Sequence, residues 1–114
     1  MADHANIVVH FKDLEVDEEL RDHIEGRCTH LAAEFPEVTR FEVTLEPGPN
    51  SVECHGLVSG KRTRVAAHAN GAELPRQACD AFLDKIEREL RTEHDKRIFT
   101  QRRKAQKNRR NPGA

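Results

Sequence analysis

Hydrophobic and polar positions divide the chain into six segments. In Asn6–Lys12, Ile7, Val9 and Phe11 alternate with Val8 and His10, the period of two of a short strand. From Asp17 the period lengthens. Leu20, Ile24, Cys28, Leu31 and Phe35 recur at steps of four, four, three and four, which predicts an amphipathic helix with one apolar seam. Asp17 is its expected N-cap, Glu18 and Glu19 suit the positive end of the helix dipole, and Pro36 ends it. VTRFEVTLEP returns to a period of two, with Phe41, Val43 and Leu45 on one face; Pro47-Gly48-Pro49-Asn50 is turn chemistry. SVECHGLVSG alternates at Val52, Cys54, Gly56 and Val58, Gly60-Lys61 allows a tight reversal, and RTRVAAHAN places Thr63, Val65, Ala67 and Ala69 on one face until Asn70-Gly71 closes it. Near Leu74 a second helix is expected, with Leu74, Ala78, Phe82, Ile86 and Leu90 on one stripe, widened by Cys79 and Leu83.

The order strand, helix, strand, strand, strand, helix predicts an α+β fold: a four-stranded sheet whose last three strands form an antiparallel meander. Both single-seam helices then cover the same sheet face. Double-stranded-RNA-binding domains share this β-α-β-β-β-α arrangement, which by itself assigns no function. The uncovered face is expected to display Arg40, His55, Arg62, Arg64 and His68 between Glu42 and Glu53. At 114 residues one domain is expected, over residues 1–98, followed by a basic, disordered tail at 99–114.

Charge sharpens this division. The total is −1, yet from Lys85 to Ala114 there are 11 Lys and Arg against 4 Asp and Glu, while the preceding residues hold 8 against 16. A basic element that meets a polyanion, carried by an acidic body, is one reading of such a dipolar chain; a solvated helix face is the other. The cations singled out are Lys61, Arg62 and Arg64 around the last hairpin, Arg76, Lys85, Arg88 and Arg91 on the second helix, and Lys96, Arg97, Arg102 and Arg103 beyond it.

Other chemistry has little support. Five Phe and no Tyr or Trp argue against base stacking on aromatic platforms. Gly56-Leu57-Val58-Ser59-Gly60-Lys61-Arg62 is one residue short of a phosphate loop, lacks its hydroxyl and leads into a strand. Cys28 with His30, and Cys54 with His55, suggest zinc ligands, but all three cysteines fall on apolar faces, so buried structural thiols are expected and no metal or cofactor. No Ser or Cys has a base-and-orienter context, so no catalysis and no small-molecule substrate are expected. Without an apolar run of membrane length or a signal-like N-terminus, a cytoplasmic protein with no membrane partner is expected.

The segment Ala81-Phe82-Leu83-Asp84-Lys85-Ile86-Glu87-Arg88-Glu89-Leu90 with Asp95-Lys96 resembles the second-helix pattern of the short ribosome hibernation promoting factors. These are also called ribosome-associated inhibitor or protein Y, and sigma-54 modulation proteins. The opening strand, Asp17-Glu18-Glu19-Leu20-Arg21, the VTLEP strand and Val65-Ala66-Ala67-His68-Ala69 extend the resemblance over residues 6–98. It implies the same fold and a factor that binds the small ribosomal subunit near the decoding centre, contacting 16S rRNA and blocking mRNA and tRNA. It also implies that Lys85, Arg88 and Lys96 face rRNA. Thr92, Glu93 and His94 stand where the family usually has lysines, and Leu74-Pro75 where an aromatic commonly follows the last strand. Two other readings remain at this stage: a protein-binding regulator using the acidic first helix, and a generic structured-RNA-binding module.

Overall fold

The computed structural model describes the backbone of residues 5–110 and the side chains of residues 5–96 and of Ile98. It contains β1 (Asn6–Phe11), α1 (Glu18–Glu34), β2 (Val38–Gly48), β3 (Ser51–Gly60), β4 (Thr63–Ala72) and α2 (Pro75–Arg110). The expected α+β architecture is present, with sheet order β1-β2-β3-β4. β1 pairs with β2 in parallel because α1 carries the chain back across the sheet; the β2–β3 and β3–β4 pairs are antiparallel.

The period-two residues build the floor of one core. Phe41, Val43 and Leu45 of β2, Cys54 and Val58 of β3, and Val65 and Ala69 of β4 are all buried. Leu20, Ile24, Cys28 and Leu31 of α1 and Ala78, Cys79, Phe82, Leu83, Ile86 and Leu90 of α2 close it from above. Asp17 caps α1 as expected, its side chain accepting the Leu20 N–H at 3.2 Å, and the Phe35 N–H returns to the Leu31 carbonyl at 2.8 Å. Gly56 sits directly under Phe82: a Cβ there would lie 3.1 Å from the Phe82 ring and overlap the Glu42 carbonyl. The missing side chain lets α2 settle on the centre of the sheet.

Several local expectations change. Leu74 is 57% exposed instead of belonging to the apolar stripe. The reason is the helix start: Pro75 is the first helical residue, and the Leu74 N–H donates to Gln77 Oε1 at 3.2 Å, which leaves Leu74 outside the first turn. Arg62 was expected to share a strand face with Arg64, but Lys61 and Arg62 form the turn, and Arg62 takes φ 59° in the left-handed region. β4 passes through Asn70-Gly71 to Ala72, its register with β3 shifting between Val52 and Cys54 and Gly71 adopting φ 80°. Helix α2 runs on to Arg110, past the last apolar repeat. The expectation of a disordered tail at 99–114 concerns residues 111–114 and side chains that lie outside the described residues.

The three cysteines are free and buried. Burial pushes the Cys28 thiol up to about 12, and contact with the Cys79 thiol, together with burial, pushes Cys54 up further. A thiolate is the reactive form, so the native protein is expected to be inert to an aromatic disulfide reagent and to release three equivalents of product on unfolding. Rapid reaction of any thiol in the native state, timed by absorbance, would contradict this packing.

Candidate nucleic-acid interface

Two helix flanks have different tasks. On the side facing α1, Arg27 reaches Asp80 at 3.4 Å, Asp84 at 3.1 Å and Glu87 at 3.7 Å, while His23 Nε2 lies 2.7 Å from Asp80. Arg91 joins the same seam through Glu34 at 3.1 Å and Glu87 at 3.0 Å, its guanidinium 5.8 Å from the centre of the Phe35 ring. These contacts clamp the helices together. Burial raises the Asp80 pKa, but the hydrogen bond and charge of His23, and then of Arg27, outweigh it and hold the carboxyl below the usual range.

The Asp80 carboxylate therefore titrates lower in the folded chain than in the unfolded one. Its contribution is complete above the ordinary carboxylate range and is lost as pH falls through the depressed value. Asp80→Asn is expected to remove no more than about 1 kcal/mol at neutral pH, the side chain being partly exposed, and to make the acid limb of stability shallower. Urea titrations at a series of pH values check this; an unchanged acid limb would show that the cluster is energetically silent.

On the opposite flank Lys85 Nζ donates to the His68 carbonyl at 2.6 Å. β4 is an edge strand, so this lysine covers one of its outward carbonyls. Among the described residues, Lys61, Arg64, Arg76, Arg88 and Lys96 are exposed and make no ion pair. The sequence-predicted cations thus separate into two groups: Lys85 and Arg91 have structural partners, while Arg88 and Lys96 stand free on a helix fixed by its buried face. The side chains of Arg97, Arg102 and Arg103 lie outside the described residues.

The fold also decides which cations meet. Glu37 binds both ends of the arrangement, its carbonyl accepting the Lys61 N–H at 3.1 Å and its carboxylate taking His94 Nδ1 at 3.4 Å. A Cβ on Gly60 would overlap that same Glu37 carbonyl, so the β3–β4 turn is held close to β2. The turn bearing Lys61 and Arg62 consequently lies at the end of the domain toward which α2 carries Lys96 and the following residues. Arg76, at the other end of α2, is twenty residues from Lys96, about 30 Å along the helix axis, and does not join them.

Charge along α2 is uneven in the same sense. Residues 75–96 contain five Lys and Arg against six Asp and Glu; residues 97–110 contain seven and none. The open sheet face is less basic than its sequence pattern suggests, since Arg40 pairs with Glu42 at 3.4 Å, His55 with Glu46 at 3.1 Å and His68 with Glu53 at 3.5 Å. Among the described residues, Arg64, near the start of the edge strand β4, adds a cation without an ion pair to this face. No group of three or more His, Cys, Asp or Glu among the described residues is placed to hold a metal ion. No helix among them is long and apolar enough to cross a membrane.

Residues 7–98 match the family described as sigma 54 modulation protein / S30EA ribosomal protein. The chain belongs to that family. Solved structures share the fold: a ribosomal subunit interface protein from Coxiella burnetii superposes with a TM-score of 0.68 at 13% identity, covering 79% of this chain and 98% of that one. The N-terminal domain of Thermus thermophilus protein Y gives 0.65 at 21% identity, covering 75% and 94%. No curated protein matches the sequence significantly. The family match ends at Ile98, so most of the acid-free stretch at 97–110 lies outside the matched residues.

Proposed function

We propose that this S30EA-family member associates with the ribosome as a hibernation factor, lodging its basic end against 16S rRNA of the small subunit where mRNA and tRNA would pass. The supporting observation is that Arg88 and Lys96, exposed and without an ion pair among the described residues, stand on a helix locked to the sheet by six buried residues. Fixed cations lose little freedom on meeting phosphates and release condensed counterions as they do so. The turn cations Lys61 and Arg62, with Arg64 at the start of β4, extend the surface, and Arg97, Arg102 and Arg103 follow along α2 in sequence. With no Tyr or Trp, recognition falls on RNA shape and backbone. Inhibition follows from occupancy, so no catalytic step or cofactor enters.

Parallel co-sedimentation with isolated small and large subunits tests this reading. Binding is expected to the small subunit alone, and to weaken steeply as salt rises. Equal binding to both subunits, or to neither at low salt, would set the reading aside.

A further inference from the structure

The domain end opposite the Lys61–Arg62 turn carries a cleft of about 780 Å³ between the β1–α1 connection and the start of α2. Its floor is apolar, from Phe11, Leu14, Val16 and Pro75, and its lining includes five carboxylate residues, of which Asp17 caps α1 and Glu18 meets Arg21 at 3.4 Å, the Arg21 guanidinium lying 5.6 Å from the centre of the Phe11 ring. Val16 is 55% exposed, and Leu74, next to Pro75, is 57% exposed; they are the most exposed large hydrophobic side chains among the described residues. With Arg21 offset by Glu18, the rim keeps an excess of carboxylates, and an apolar floor open to water beneath such a rim has the character of a docking surface for a basic segment.

We propose that this cleft receives the C-terminal basic segment of a second copy of the chain. That segment has both complementary properties: Ile98 is an exposed apolar side chain, and the residues from 97 to 110 carry seven cations without an acid. A chain's own segment cannot enter its own cleft while α2 is helical, because Pro75 lines the cleft and Arg97 lies 22 residues further, about 33 Å along the axis. Two antiparallel copies remove that obstacle. A two-fold arrangement seats each basic segment in the other's cleft, and closes after two subunits. The inference goes beyond ribosome binding and does not depend on it, although RNA would compete for the same cations.

Sedimentation velocity on the full chain without RNA tests it, with two variants: Glu15 and Glu19 replaced by Lys in the cleft, and Arg102, Arg103 and Lys104 replaced by Glu in the basic segment. The wild type is expected to be dimeric at low salt and monomeric at molar salt, where charges are screened within a few ångströms. Each variant alone is expected to associate at least tenfold more weakly, while an equimolar mixture forms a heterodimer tighter than either homodimer, because it restores one pairing of an unaltered cleft with an unaltered basic segment. Circular dichroism confirms that both variants are folded. A wild type that stays monomeric at low salt, a dimer that persists in either variant, or folded variants that fail to associate when mixed would each overturn the proposal.

Discussion

Replacing Phe82 by alanine is expected to lower stability by about 3–5 kcal/mol, the largest effect of any single substitution considered for this chain. Phe82 is fully buried on the inner face of α2, and its ring lies over Gly56, which has no side chain to fill the gap. The cavity left behind would have backbone on one side, which collapses poorly, so the cost falls at the upper part of that range. Domains of this size are stable by only about 5–15 kcal/mol. The melting midpoint should therefore drop by roughly 10–20 °C. Urea unfolding followed by circular dichroism checks this, and a loss below about 1 kcal/mol would mean that α2 is not seated on the sheet as described.

The second large effect concerns binding. Arg88 and Lys96 changed together to Glu should reduce small-subunit affinity by about a hundredfold or more at low salt, and lower the slope of affinity against salt by about two phosphate contacts. Neither side chain makes an ion pair among the described residues, so the thermal midpoint should hardly move. Arg91 provides the opposite control. Its pairs with Glu34 and Glu87 make it part of the interhelical clamp, and Arg91→Ala is expected to remove no more than about 1 kcal/mol of stability while leaving the salt slope unchanged. Equal affinity for the doubly reversed protein at every salt concentration would separate α2 from RNA binding.

The architecture was legible because its code is local. The period of two at Phe41, Val43 and Leu45, the helical seam from Leu20 to Phe35 and the Asp17 cap each depend on residues within one element, and each is found in the structure. Errors arose at boundaries where two signals competed. Leu74 fits the apolar stripe by spacing, yet Pro75 starts the helix one residue later; Arg62 continues the alternation of Arg64, yet the turn needs two residues.

The candidate surface was less legible, for a physical reason. A sequence shows where cations occur but not which carboxylates they meet. The Arg91 pairing with Glu87 was readable as a four-residue helical spacing, whereas its bond to Glu34, the Arg27 contacts with Asp80 and Asp84, and the reach of Lys85 to the His68 carbonyl join positions 17 to 57 residues apart. The net negative balance of residues 75–96 was available to counting, and it moves the weight of the RNA-facing reading toward Lys96 and beyond.

Directed hydroxyl-radical cleavage from Lys96 tests that reading most directly. The native cysteines are buried, so an iron chelate coupled to a Lys96→Cys variant attaches at that exposed position alone. With the tethered protein bound to small subunits, cleavages are expected in the 16S rRNA strands lining the path of mRNA and tRNA, and should fade as salt releases the protein. Cleavage confined to the outer surface of the subunit, or absent while the protein remains bound, would contradict the assignment of the basic end of α2 to the rRNA.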